Sequence, residues 1–279
     1  MSGAWWQLDI TCRPEHADAV AATVVNATGY GVEEPASGRI RAVASSDLDA
    51  EALARALSTQ FADVATTVTP IAPIDWSVHW RDGIITRRFG RLVLTPSWLP
   101  VDPAPDEVVL VLDPESAFGS GEHGSTRAAL TLLERHTRGG DRVLDFGSGS
   151  GVLAIAAARL GASSAIGVEV DPEANPIAEA NAARNNVAAQ VTFLLGDAGQ
   201  LGTLAGPAHL VCSNILRSVN TLLLPIIRDA LRRDGLAIFS GMERAERELF
   251  LPVLESAGWT PVEEVIDADW WSVAARRPT

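Results

Sequence analysis

An apolar run, Val143-Leu144, reaches Asp145 and, past Phe146, breaks into three glycines at alternate positions, Gly147, Gly149 and Gly151. The stretch from Val152 to Ala158 that follows is rich in alanine and reads as a helix. Strand, tight turn and helix in this order open a doubly wound α/β domain. Glycines at these positions let the backbone turn sharply and let a ligand lie against it without β-carbon interference. The helix beyond presents its N-terminal N–H groups to a polar ligand.

The spacing decides between ligands. A dinucleotide fingerprint, G-x-G-x-x-G, places its third glycine at position 152, where this chain has Val152. A second acidic residue, Glu169, closes the next apolar run, Ala165 to Val168. A carboxylate at the end of that second strand is placed to accept from both ribose hydroxyls of a nucleoside. Asp145, the glycines and Glu169 together resemble the glycine-rich motif and acidic loop of class I S-adenosylmethionine (SAM) methyltransferases.

From residue 142 the pattern reads strand (142–146), helix (151–160), strand (164–170), helix (172–186), strand (190–195), strand (208–213), helix (217–233), strand (236–240), helix (244–257) and a final pair (259–266, 270–276). Such alternation predicts a parallel sheet covered on both faces. The last pair is close enough for a hairpin, which would put one antiparallel strand at the edge. Ligands of these sheets sit at the carboxyl ends of the strands. There the sequence places Asp145, Glu169, Asp197 and Asn214.

The N-terminal part differs. A strand over 5–12, a helix opened by Pro14, extended pieces near 31–35 and 39–44, a helix capped by Ser46 or Asp47 and a strand over 64–68 follow in the order β-α-β-β-α-β. This is the split βαβ, or ferredoxin-like, pattern. His16 reads as a solvated helix residue. Residues 1–66 form the expected small domain, 67–83 a linker with a short helix, and 84–279 the large domain. In the linker Trp76 and Trp80 stand one helical turn apart, a spacing that suits a packing clamp. Ahead of the central motif, Asp113 to Thr126 is too apolar for a linker and too rich in glycine for a regular element. It can fold over a bound ligand, with His123 either touching that ligand or bonded to backbone. A helix over 127–137 follows it.

The resemblance extends nearly end to end. The chain resembles the ribosomal protein methyltransferase A (PrmA) family at Asp75-Trp76 with Trp80, Arg88-Phe89-Gly90, Pro96-Ser97-Trp98, the loop from Phe118 to Thr126, the glycine motif and Asn214-Ile215-Leu216. The resemblance implies a ferredoxin-like domain for substrate recognition joined to a Rossmann-like methyltransferase domain. It implies SAM as cofactor, S-adenosylhomocysteine (SAH) as product, and as substrate the amino groups of a large-subunit ribosomal protein. The family's cofactor contacts carry over onto Thr126, Gly147, Glu169 and Asn214, and Phe118, Asp145 and Gly149 of the same loops are read as cofactor-binding beside them. Asp197 joins them by analogy with methyltransferases that bond the adenine amino group there. Asn214 would also position the amine. Glu122 and His123 are candidate substrate contacts, and neither is assigned as general base. Two stretches depart from the family: Glu122-His123-Gly124-Ser125-Thr126 replaces Thr-His-Pro-Thr-Thr, and Arg217-Ser218-Val219 replaces Ala-Gly-Pro. Both lie where substrate should approach, so a small-molecule N-methyltransferase of the same fold is the alternative.

Composition narrows the partners. The 279 residues carry a net charge of −13, and all 22 basic residues are arginines. Such acidity argues against general nucleic-acid or anionic-membrane binding and suits a basic substrate or simple solubility. An amino methyltransferase acting on nucleic acid would often show Asn-Pro-Pro-Tyr where Asn214-Ile215-Leu216-Arg217 stands. Cys12 and Cys212 are isolated and form neither metal spacing nor a disulfide framework. There is no signal-peptide pattern at the start and no apolar run of about 18 residues. A cytoplasmic, metal-free monomer is expected.

Overall fold

The computed structural model describes residues 5–71, 81 and 83–278. The chain divides into two compact units, Met1–His79 and Trp80–Thr279. The Trp76/Trp80 clamp expected from the sequence lies outside the described residues.

The first unit is built on β1 (Trp6–Thr11), with β2 (Glu33–Ala36), β3 (Arg39–Ala44) and β4 (Ala65–Pro70) in the antiparallel order β2-β3-β1-β4. Leu8 and Ile10 alternate inward with Ile40, Ala42 and Ala44. They pack against Val20 and Val24 of α1 (Ala17–Thr28) and Ala50, Leu53 and Leu57 of α2 (Asp47–Gln60). A 3-10 turn, Pro14–His16, precedes α1, so the helix starts later than Pro14 suggested. The Ser46 hydroxyl caps α2 by accepting from the Asp49 N–H. His16 is not simply solvated: its Nδ1 lies 2.8 Å from Asp63 Oδ1, and its ring is tilted against Phe61. β4 runs to Pro70, beyond the residue 66 boundary read from the sequence.

The second unit holds a seven-stranded sheet in the order β10-β9-β8-β11-β12-β14-β13. The strands are β8 (Arg142–Phe146), β9 (Ser164–Glu169), β10 (Val191–Leu195), β11 (Ala208–Asn214), β12 (Leu231–Glu243), β13 (Thr260–Asp267) and β14 (Trp270–Arg276). β10, β9, β8, β11 and β12 are parallel, and β14 is antiparallel to both its neighbours. The antiparallel strand is therefore inside the sheet and β13 is the edge, contrary to the arrangement expected. The crossover through α8 (Arg247–Ser256) sets β13 parallel to β12 with a one-strand gap, and the hairpin folds β14 back into it. Burial agrees: Trp271 to Ala275 are all buried, whereas β13 alternates exposed with intermediate.

Helices cover both faces. α3 (Gly124–His136), α4 (Val152–Arg159) and α5 (Ala174–Arg184) supply Leu130, Leu133, Ile155, Ala178 and Ala182 to one core. The other core takes Leu223, Leu224 and Ile227 of α7 (Arg217–Ala230), Phe250 and Leu254 of α8, and Phe146, Phe239 and Trp271 from the sheet. α6 (Ala198–Ala205) was not anticipated between the strands at 190–195 and 208–213; it contains Gly199 and Gly202, residues of low helix propensity. Gly202 serves packing: a β-carbon there would lie 2.6 Å from the Phe146 ring.

A smaller sheet, β5 (Arg87–Phe89), β6 (Leu92–Thr95) and β7 (Val108–Val111), leads into the 113–123 loop. Two asparagines, Asn181 in α5 and Asn185 at its C-cap, pin this approach. Asn185 Oδ1 accepts from the Val111 N–H at 2.8 Å, and its Nδ2 donates to the Val111 carbonyl at 2.6 Å. Buried Asn181 accepts from the Asp113 N–H and donates to the carbonyls of Asp113 and Ser150.

Candidate functional site

The glycine loop follows β8. Gly147, Gly149 and Gly151 have φ of 74°, 50° and 80°, the left-handed region that disfavours any side chain. Space is short as well: a β-carbon on Gly149 would come within 2.5 Å of the Phe118 carbonyl oxygen. The 113–123 loop is sewn onto this turn. The Ser150 N–H donates to that same carbonyl at 2.9 Å, and the Ser150 hydroxyl donates to the Gly119 carbonyl at 2.9 Å.

Glu169 ends β9 beside the loop. Its Oε2 accepts from the Gly149 N–H at 2.9 Å, and its Oε1 accepts from the N–H groups of Val170 (2.8 Å) and Asp171 (3.0 Å). An ionised carboxylate has about four acceptor positions, so three backbone bonds orient it and leave capacity on Oε2. A crevice of about 140 Å³ runs from Glu169 past Gly147 to Asp197, with Ile215 and Val219 as its apolar wall. Asp197 caps α6 by accepting from the Gly199 N–H at 2.6 Å.

Asp145 lies beneath the crevice rather than in it. The sequence grouped it with the cofactor contacts, but the residue is 0 % exposed. One oxygen accepts from the Ala154 N–H at 3.1 Å in the first turn of α4, and the other is buried without a partner. Burial, aided by the Glu169 charge, pushes its carboxyl up to about 7. Because the folded pKa exceeds the unfolded value of 3.8, ionisation opposes folding. This loss begins as pH rises above the unfolded pKa and is complete above about 7. An Asp145→Asn variant has no such term. We expect its stability relative to wild type to climb between about pH 4 and about pH 7, by up to about 4 kcal/mol, and then level off. Denaturant unfolding across this range checks it; a difference independent of pH contradicts it.

The second half of the site lies at the end of β11. Asn214 donates through Nδ2 to the Thr126 hydroxyl at 3.3 Å, and its Oδ1 is buried with no partner. Thr126 is itself fully buried, so it supports Asn214 from below and does not reach the crevice surface. Asn214 lines an apolar cavity of about 450 Å³ with Phe118, His123, Leu216, Val219 and Trp270. The His123 ring sits between those of Phe118 and Trp270, with centroids 5.2 and 4.1 Å away. Its Nδ1 is 2.8 Å from the Ser125 hydroxyl. Burial, with the charge of Arg127, holds its imidazolium below the ordinary range, so the ring is neutral at pH 7.

The departures from the family pattern have local partners. Glu122 pairs with Arg87 and accepts from the Ile85 N–H, so its carboxylate is occupied. Gly124 leaves room for Trp270, whose Cδ1 would lie 2.5 Å from a β-carbon there. Arg127 grips Asp267 in the turn before Trp270 and also donates to the Glu122 carbonyl. Arg217 pairs with Glu246 at 3.0 Å. Trp270, Asn181 and Asn185 were missed in the sequence. The doubled Trp270-Trp271 at a strand start and the i, i+4 asparagines of α5 were the available signals. Among the described residues no cluster of His, Cys, Asp or Glu could hold a metal, and no helix is long and apolar enough to cross a membrane.

A Rossmann-like sheet with an inserted antiparallel strand, a triple-glycine turn and an acid at the end of the second strand defines the SAM-dependent methyltransferases of class I. The site fits that cofactor: the glycines clear its path, Glu169 keeps acceptor capacity, and Asn214 offers an unused buried oxygen. Residues 4–278 match the family model described as ribosomal protein L11 methyltransferase (PrmA). The chain is 35% identical to the ribosomal protein L11 methyltransferase of Chloroflexus aurantiacus, over 76% of this chain and 74% of that protein. It is 39% identical to the one from Thermus thermophilus, over 73% of this chain and 78% of that protein. A crystal structure of the ribosomal protein L11 methylase from Lactobacillus delbrueckii subsp. bulgaricus superposes with a TM-score of 0.63 at 29% identity, covering 70% of this chain and all of that one. The chain belongs to the ribosomal protein L11 methyltransferase (PrmA) family, and its cofactor is SAM.

Proposed function

We propose that this chain transfers methyl groups from SAM to amino groups of ribosomal protein L11, at lysine side chains, the N-terminal amine or both. The observation that carries the amine assignment is Asn214 Oδ1, an unpartnered buried acceptor beside an apolar cavity. An acceptor of this kind suits an N–H donor, and a buried polar atom without a partner is costly until one arrives. The ribose is assigned to Glu169, the adenine to Asp197, and the reacting end to the mouth of the Asn214 cavity, over the Gly147–Gly149 turn.

When bound, SAM supplies an activated methyl group on a sulfonium, so the protein's task is alignment and exclusion of water. An amine attacks only when unprotonated. For a lysine this costs about 4.6 kcal/mol at pH 7. The apolar walls, Phe118, Leu216, Val219 and Trp270, reduce this cost by disfavouring the ammonium. Neutral His123 adds no repelling charge. With basicity already lowered it is a poor holder for the amine's proton, and Glu122 is occupied by Arg87. The proton therefore leaves to solvent, and Asn214 Oδ1 orients the remaining N–H.

The N-terminal unit is assigned to substrate recognition. It contributes none of the residues above and has its own core. We expect a chain beginning at Trp80 to bind SAH as the full chain does, while its kcat/KM on intact L11 falls at least about tenfold. Transfer to a free lysine amide should change little. Equal kcat/KM on L11 for the two chains removes the recognition role.

A further inference from the structure

Glu115 is held in a conformation that calls for an explanation. Its φ is 48°, in the left-handed region that glycine adopts freely and residues with side chains avoid. It is the second residue of a tight turn in which the Ala117 N–H donates to the Pro114 carbonyl at 2.9 Å. A positive φ at that place belongs to the mirror-image turns, where glycine, asparagine and aspartate dominate. Backbone strain of this kind gathers at ligand sites. The turn is also fixed relative to the glycine loop, because Phe118, three residues on, accepts from the Ser150 N–H.

Glu115 lines a cavity of about 500 Å³ with Pro114, Phe118, Ser120, Glu122 and His123. Phe118 and His123 also line the Asn214 cavity, so the two spaces meet at those rings. Glu122 has Arg87 as partner, and nearby Asp113 has Arg184. Among the described residues none lies within bonding distance of the Glu115 carboxylate.

The cofactor has three arms. With adenine and ribose assigned to Asp197 and Glu169 and the methyl to Asn214, the space left for the amino-acid arm is the one beyond Phe118, which lines both cavities and touches the glycine loop. That arm ends in an ammonium and a carboxylate. We infer that Glu115 pairs with this ammonium and so acts as a cofactor-binding residue. Glu115 is exposed on a turn tied to the glycine loop through Phe118 and Ser150, and among the described residues its carboxylate has no cation, so it offers the ammonium a complement on the wall of this cavity.

This rests on the cofactor placement proposed above, and the test separates the two. Titration calorimetry is run with SAH and with 5′-methylthioadenosine, which keeps adenine, ribose and sulfur but lacks the amino-acid arm. Glu115→Gln should weaken SAH by about fivefold, the scale of a partly exposed ion pair, and leave methylthioadenosine unchanged. Glu115→Gly, which suits the left-handed backbone, should give the same result and stands in if the amide fails to fold. Unchanged SAH affinity, or equal losses for both ligands, overturns the assignment. Glu169→Ala should weaken both ligands; if methylthioadenosine is unaffected there, the placement itself is wrong.

Discussion

Replacing Asn214 by alanine should lower kcat about 100-fold while changing SAH affinity far less. The side chain, at the end of β11, is held by buried Thr126; the residue lines the apolar cavity, and its Oδ1 is buried without a partner. In an in-line displacement the nucleophile's lone pair must point along the breaking bond. A group that orients the amine acts chiefly in the transition state, so its loss shows in turnover rather than in ground-state binding. Asn214→Asp is a useful companion. It keeps the shape, yet places a charge in an apolar cavity beside buried Thr126 and favours the ammonium form of the amine. It too should be slow, and its rate should recover as pH is raised. Single-turnover rates beside SAH calorimetry separate the two quantities. Wild-type turnover in the alanine variant would remove Asn214 from the acceptor site.

Glu169→Ala should weaken SAH by about 10- to 100-fold, from the roughly 1.5–3 kcal/mol of a hydrogen bond to a charged group. Two losses combine. The ribose hydroxyls lose their acceptor. The glycine loop also loses the bond from the Gly149 N–H, and the turn after β9 loses those from Val170 and Asp171. The residue therefore shapes the crevice in addition to its proposed contact with the ribose. Glu169→Asp keeps the charge and should cost far less. Calorimetry on folded variants checks this, and unchanged SAH affinity in Glu169→Ala would place the ribose elsewhere.

What the sequence disclosed, and what it hid, follows from the kind of information each residue carries. The alternating glycines declare a backbone that only glycine accepts, so the central turn was legible without any tertiary knowledge. The parallel sheet was legible from a different signal, the alternation of apolar strands with helices. α6 was hidden because it carries two glycines, local helix breakers, of which Gly202 is there for packing on Phe146 and Gly199 sits against the Asp197 cap. The antiparallel strand was set at the edge because a hairpin signal says nothing of which strand faces the sheet; only the unbroken burial of Trp271 to Ala275 decides it. Asp145 was grouped with the ligand contacts through the glycine motif, and Thr126 through the family resemblance. The fold buries both, and they hold the α4 turn and Asn214 from behind. Trp270 reaches the site from the far end of the chain, through a vacancy that Gly124 provides, and no local pattern foretells such a meeting.

Mapping the methyl groups tests amino methylation of L11 most directly. Purified L11 is incubated with the enzyme and methyl-labelled SAM, digested, and sequenced by tandem mass spectrometry. We expect added methyl groups on lysine side-chain nitrogens or the N-terminal nitrogen, and their absence with the Asn214→Ala enzyme over the same interval. L11 left unlabelled, or label found only on oxygen or sulfur, would contradict the account.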